Sequence, residues 1–282
     1  MSTTHNALPF KGPGRFGGYA LLVLAVLCIV APFAWILMNS FKQPIAILSG
    51  AWSFTPTLGN YADVLVSRRS DFAANVRNSI IVATASTALV LIVGTLAAYS
   101  LYRFRWAQWV TTLFLGWMLV FHMIPALTLV GPWYIAFREL GWYDTLGGLI
   151  LTHVTMNLPM TVWLMMAFFR EIPPEIEEAA HIDGCQSLQA FWHIALPLVA
   201  PGLIAAGILA FIFSWNEFSI ALNLTSRDTA TVPVAIARFA QQYEIQYSQM
   251  AAAAVISTLP ALILMAIGQR FIVRGLMLGS VK

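Results

Sequence analysis

Charge is scarce in this chain. Asp, Glu, Lys and Arg make up 10% of its 282 residues, where a soluble globular domain carries about 25%. With 59% hydrophobic residues and a mean hydropathy of +0.77, it lacks the polar surface to coat a water-facing sphere. It reads as an integral membrane protein. Lysine is nearly missing: Lys11, Lys42 and Lys282 are all there are, and none sits in a Gly-rich phosphate loop. The chain therefore has no Walker A site, and any ATP-driven work needs another subunit. A net charge of +3, scattered along the sequence, argues against nucleic acid. Cysteine is limited to Cys28, inside an apolar run, and Cys185, in a polar stretch, so no disulfide is expected. No His, Cys, Asp or Glu cluster has metal-ligand spacing, and no nucleophile–base pairing suggests catalysis within the chain.

What is present is a series of long apolar runs. A span needs about 20 mostly apolar residues to cross a hydrocarbon layer of about 30 Å. The windows that qualify are Gly18–Met38, Ser79–Leu101, Trp109–Val130, Leu146–Phe169, Leu198–Ile220 and Met250–Phe271. Backbone hydrogen bonds must close within each segment in lipid, so all six are expected to be helices. Lys11 and Arg15 ahead of the first run resemble a secretory leader. That run exceeds the ~7–15 apolar residues of a leader and no clean cleavage site ends it, so it reads as a retained span. The third window is expected to end near Pro125, with a shorter helix following at the interface. Asn39–Asn78, with Trp52, Pro56, Tyr61 and Arg68–Arg69, reads as an ordered extramembrane loop, and Thr225–Gln249 is a second polar segment. Basic residues divide almost evenly between the two sides. The positive-inside rule leans towards cytoplasmic termini through Arg103, Arg105, Arg270 and Arg274 at span ends, without deciding the matter.

The stretch Glu178–Pro197, EAAHIDGCQSLQAFWHIALP, interrupts the apolar pattern in an organised way. Pro173 and Pro174 pre-set a helix start, and Glu175, Glu177 and Glu178 complement the positive end of its dipole. Ala179 and Ala180 leave low relief that another protein can approach. Gly184 stands where a left-handed cap would end the helix. A second short helix from about Ser187 should present Leu188, Phe191 and Ile194 on one side, with Pro197 closing it before the fifth span. From physics alone the stretch is either a docking surface or a solvated loop that covers span ends.

Its fixed positions, E-A-A-x3-G-x9-I-x-L-P, are all those of the signature of permease subunits from binding-protein-dependent ABC importers, a family the chain resembles. Asn78-Ser79, Ala97-Ala98-Tyr99 with Arg103-Phe104, and Trp215-Asn216-Glu217-Phe218 extend the resemblance along the chain. The tail, Gly275-Leu276 through Gly279-Ser280-Val281-Lys282, is similar to that of the carbohydrate-uptake branch, in particular the six-span subunit of maltose-type importers. The resemblance implies an all-α integral membrane protein of the inner membrane. Its parts would be a cytoplasmic segment 1–17, a six-helix transmembrane domain 18–274 containing a cytoplasmic helix-turn-helix coupling loop at 170–197, and a cytoplasmic tail 275–282. It implies a subunit that moves a sugar, sugar alcohol or related polyol by alternating access. The partners implied are a homologous second permease, two ATP-binding subunits that hold the ATP and Mg, and an extracytoplasmic solute-binding protein. Coupling to the ATPase would fall to Glu178, Ala179, Ala180, Asp183, Gly184, Ile194, Leu196 and Pro197. The coupling signature itself says nothing about cargo, since non-carbohydrate importers share it.

Asn216 and Glu217 are the candidates for the solute path. A carboxylate at mid-membrane costs ~2.5–3.5 kcal/mol on insertion scales, so the pair should face a wet cavity or sit solvated at the helix end. Gly202, Ala206, Ala210 and Ser214 share one face of span five, expected near a subunit or translocation interface. Ala83, Thr87, Gly94 and Ala98 mark a similar face of span two, expected to pack within the chain. His122 and Asn157 precede Pro125 and Pro159 and are expected to satisfy carbonyls those prolines free. His181 and His193 read as surface residues. A secondary transporter would need paired ionisable groups at mid-membrane and, commonly, inverted repeats, and the sequence offers one carboxylate and no repeat. A membrane assembly or signalling protein would need only the docking stretch.

Overall fold

The computed structural model describes residues 14–67, 70–104, 106–240 and 245–278. The expectations for the N-terminal segment 1–13, Arg68–Arg69, Arg105 and Gly279–Lys282 lie outside these residues. The described chain is helical throughout, and the only strand-like pairing within it is an isolated antiparallel bridge, Ala240–Ile245. Four helices are long and apolar enough to cross a membrane: α1 (Gly14–Ser40), α4 (Phe72–Arg103), α7 (Leu146–Arg170) and α14 (Tyr247–Leu278). Between α1 and α4 lie α2 (Pro44–Leu48) and α3 (Gly59–Leu65).

The remaining two windows are bent. α5 (Gln108–Met123) and α6 (Ala126–Leu140) meet at 99°. Pro125 causes the break, because its ring forces Ile124 into extended backbone (ψ 124°). The window expected to end near Pro125 does so. After α7 come α8 (Pro174–Ile182), α9 (Ser187–Ala190), a π turn over Phe191–Ala195 and α10 (Leu196–Leu198). α11 (Ala200–Asn216) then leaves at 74° to that segment. α12 (Ser219–Leu224) and α13 (Val232–Arg238) lead to α14.

The core is the α4–α7–α11 bundle, and small residues set its spacing. A Cβ on Gly94 would stand 2.8 Å from Thr161 Cγ2, and one on Gly202 would stand 2.4 Å from the Phe168 ring. Ala206 and Ala210 are fully buried within the chain, and Ser214 bonds Ser86 across the bundle. The small-residue face of span five therefore packs inside this chain and not at a subunit interface, while its last member, Ser214, borders the cavity described below. Such a face makes close backbone approach possible for any neighbour, and here the neighbours are intrachain. The face on span two packs within the chain as expected. α1 stands apart: none of its apolar window is buried, and it lies mainly along α14.

The loop 39–71 is ordered, as its aromatic content suggested. Asn60 donates to the carbonyls of Ser40 and Lys42 (2.8 and 2.9 Å), pinning the base of α1. Lys42 is buried, donates to Ala51 O at 3.0 Å and lies over the Trp35 and Phe54 rings. At this same end of the bundle, Asn75 and Asn78 donate to the carbonyls of Ala230 and of Asp228 and Ala230. Arg227 donates to Asp71, a bond that holds the Asp71 carboxyl below its ordinary value despite slight desolvation.

Asp144 fastens the α6–α7 turn to this clasp. Its carboxylate accepts the hydroxyls of Ser226 and Thr229 and the Ser226 N–H, and its own N–H donates to Leu224 O. Burial pushes the Asp144 carboxyl up, but those hydrogen bonds outweigh it and leave it below the ordinary range. Its backbone is left-handed (φ 58°), which Asn also tolerates. Asp144→Asn is therefore expected to isolate the charge and destabilise the protein by about 1–3 kcal/mol at neutral pH. A lowered folded pKa contributes stability above the ordinary carboxylate range and loses it as pH falls through the folded value. Thermal midpoints of purified wild type and variant should therefore draw together as pH falls below that range and meet only below the folded value.

Candidate coupling hairpin and membrane cavity

Two constellations sit at opposite ends of the bundle. The first is the hairpin of α8, α9 and the π turn. Two prolines open α8, with Pro174 in its first turn and Glu175 and Glu177 complementing its dipole. It closes on Gly184, whose φ is +89°. Gly184 N–H donates to His181 O (3.1 Å) and Cys185 N–H to Ala180 O (2.9 Å), the paired bonds of a Schellman cap. No atom lies within 4 Å of where a Cβ on Gly184 would stand. The demand for glycine is conformational, not steric. α9 then begins in a capping box, in which Gln186 and Gln189 each bond the other's backbone N–H.

Burial of one carboxylate fixes this hairpin to the bundle. Glu177 is 6% exposed. Its Oε2 accepts the Tyr99 hydroxyl at 2.9 Å, and its Oε1 accepts Arg103 Nε at 2.8 Å. A second guanidinium nitrogen of Arg103 donates to Ile172 O at 3.1 Å, at the exit of α7. The Tyr99 ring packs against Phe169 and Phe191, at centroid distances of 5.4 and 4.8 Å. One set of side chains thus joins α4, the end of α7, α8 and the π turn.

The residues read from the signature divide by exposure. Glu178, Ala179, Asp183, Gly184 and Pro197 are exposed, Ala180 is buried, and Ile194 and Leu196 are half-buried. The expected apolar side is corrected: Phe191 is buried in the core, while Leu188 is exposed, as are Ile182 and Trp192. Leu188 lies in α9 ahead of the π turn, and at about 100° per residue the i, i+3, i+6 positions drift round the helix and do not keep one face. Pro197 does mark the end of this second helix: the helix runs one residue further, to Leu198, and the chain breaks at Val199 before α11.

The second constellation is a cavity of about 480 Å³ where α11 ends, bounded by the α5–α6 break and by α7. Asn216, Glu217, His122, His153 and Asn157 all line it. Glu217 caps α12: its two carboxylate oxygens accept the N–H groups of Ile220 and Ala221 at 2.8 and 3.0 Å. Asn216 Nδ2 donates back to Ile212 O. Asn157 bonds the carbonyl of His153 at 2.9 Å, and not that of Thr155, the carbonyl Pro159 leaves free, so the expected repair is not made there. His122 instead faces the cavity, with no hydrogen bond among the described residues. His153 is 1% exposed, and its Nδ1 lies 2.6 Å from Ser214 Oγ, which lies 3.0 Å from Ser86 Oγ.

Sequence reasoning missed Glu177 as an anchor, and missed His153 entirely. For Glu177 a signal existed: with Ala180 it forms an i, i+3 inward face on α8, and Tyr99 and Arg103 lie one turn apart on α4.

A membrane bundle with an organised inter-span hairpin and a polar-lined cavity fits a transport permease, and the family comparison gives that class. The chain belongs to the family described as binding-protein-dependent transport system inner membrane component, whose model matches residues 90–277. It is 38% identical over 269 residues to the trehalose transport system permease protein SugB of Mycobacterium tuberculosis, covering 94% of this chain and 93% of that one. It is 35% identical over 266 residues to the trehalose/maltose transport system permease protein MalG of Thermococcus litoralis, covering 93% and 94%. The fold matches a chain in the crystal structure of a bacterial ABC transporter involved in alginate import, with a TM-score of 0.76 at 23% identity, over 93% of this chain and 99% of that one.

Removing the Glu177 side chain strands Arg103, which is 13% exposed, and losing one partner of a buried pair costs about 3–5 kcal/mol. Glu177→Ala is therefore expected to lower the thermal midpoint of the purified protein sharply. Glu177→Leu combined with Arg103→Met, which removes both charges, should recover most of the loss.

Proposed function

We propose that this chain is the permease subunit of an ATP-driven importer for a sugar, sugar alcohol or related polyol, working beside a homologous permease in the inner membrane. The observation that carries the cargo class is the naming of relatives aligned over more than nine-tenths of the chain for trehalose and for trehalose/maltose transport. The 18–274 region is the transmembrane domain, with both termini and the 170–197 hairpin in the cytoplasm. There Glu178, Ala179, Ala180, Asp183, Gly184, Ile194, Leu196 and Pro197 meet an ATPase, and the exposed Ile182, Leu188 and Trp192 give that contact an apolar centre. Two such ATPase subunits bind the ATP and Mg, and this chain binds neither. An extracytoplasmic solute-binding protein delivers cargo to the loops 39–78 and 225–249. Solute then passes Asn216 and Glu217.

The hairpin transmits motion because it is stiff. Its cap is glycine-dependent, and its first helix is bolted to α4 through Glu177. When the ATPases close, the displaced hairpin carries α4 with it and access alternates. The first test is co-purification of the cytosolic ATPase with the chain, which should survive Glu177→Gln and be lost when Ile182, Leu188 and Trp192 become Asp. Retention in that triple variant would remove the docking assignment. Gly184→Val places a β-branched residue in left-handed backbone at a cost of about 1–3 kcal/mol. Uptake in vesicles is expected to fall well below wild type while ATP hydrolysis continues, and wild-type uptake would contradict the rigid-turn role. Glu217→Ala should reduce uptake while the assembled complex stays intact, and undiminished transport would remove Glu217 from the path.

A further inference from the structure

The cavity at the end of α11 has a one-sided charge. Glu217 is its single permanently charged candidate: among the described residues that line it, none is Lys, Arg or Asp. Both Glu217 oxygens act only as acceptors, the bonding pattern of an ionised carboxylate. Beside it, His153 Nε2 is buried and has no hydrogen-bond partner; Glu217 Oε2 stands 3.7 Å away, too far for a hydrogen bond with a neutral ring though within ion-pair distance of a protonated one. A buried polar atom left unpaired costs free energy until a ligand or water completes it. His153 Nδ1 is already engaged by Ser214, so Nε2 is the atom left to serve the cavity. The rings of Phe121, Phe213 and Phe218 supply apolar walls. The volume of about 480 Å³ falls in the range of small-ligand pockets.

We infer that this cavity is a solute subsite that admits uncharged polyhydroxylated molecules and bars anionic ones, with Glu217 repelling phosphate or carboxylate and His153 Nε2 bonding a solute hydroxyl. The inference rests on the importer reading and narrows its cargo class: sugar phosphates and uronates are excluded at this step. A hydroxyl can donate to the carboxylate or bond the imidazole, whereas an anion entering a low-dielectric cleft against a fixed negative charge is depleted there.

The test needs no knowledge of the cargo. Ser219 lines the cavity, so Ser219→Cys places a near-isosteric reporter there, with Cys28→Ala and Cys185→Ser removing the native thiols. The assembled importer, in membranes with its ATPase, is treated with cationic trimethylammonioethyl, anionic sulfonatoethyl or neutral glucosyl methanethiosulfonate. Rates are divided by those for a free thiol. The cationic reagent is expected to exceed the anionic by about tenfold or more, the glucosyl reagent is expected to enter, and Glu217→Gln should bring the charged pair to parity. Where Glu217→Gln fails to assemble, Asn216→Lys, which leaves the α12 cap intact, should reverse the preference. Equal rates in the parent, a preference that survives the charge changes, exclusion of the glucosyl reagent, or a cysteine no reagent reaches would each overturn the inference. Replacing His153 with Phe should slow the glucosyl reagent and leave the charge ratio unchanged, and an unchanged glucosyl rate removes His153 from the subsite. The two readings fail separately. An ATPase that does not co-purify defeats the importer reading, whereas a complex that co-purifies without charge preference defeats this inference alone.

Discussion

A carboxylate taken out of water is the constraint on which the rest of this molecule depends. Desolvating Glu177 costs several kcal/mol unless its lone pairs are met, and they are met by Tyr99 and Arg103 of one helix. The hairpin therefore has one seat and one orientation on the bundle. A hydrophobic pair of equal volume could hold it as firmly, but not with the angular definition of a two-point contact to a planar guanidinium. The same helix, α4, extends for 32 residues, about 48 Å at the helical rise. At its far end Asn75 and Asn78 hold the 228–230 loop. What is fixed at one face of the bundle is thus referred to the other through a single rod.

The two bent helix pairs have complementary consequences. At the α5–α6 break, Ile124 and Ala126 form part of one wall of the cavity, so the bend at Pro125 also bounds the space. At the hairpin the bend follows the π turn, in which Phe191 and Ala195, four residues apart on one face, both reach the core while Trp192 remains outside. Space at one end and relief at the other come from the same device, a helix interrupted where backbone bonding is incomplete.

Much of this was legible in the sequence. Apolar runs marked every long helix, because lipid leaves the backbone few options. Pro125 and Gly184 announced themselves through backbone chemistry that few other residues share. Partners were the illegible part. Glu177 and Arg103 are 74 residues apart, and nothing local to either names the other. The small-residue face on α11 was visible, yet periodicity reports that a face exists and not who occupies it. Its occupants turned out to be Phe168, Ser86 and His153.

The isolation of α1 bears on how the chain is made. Its main helical neighbour within the chain is α14, which starts about two hundred residues later, at Tyr247. At a synthesis rate of roughly 5–20 residues per second, α1 waits on the order of ten seconds or more before that neighbour emerges. In that interval it must survive as a lone helix in lipid, which accounts for an apolar surface that runs all the way round it with no polar face to hide.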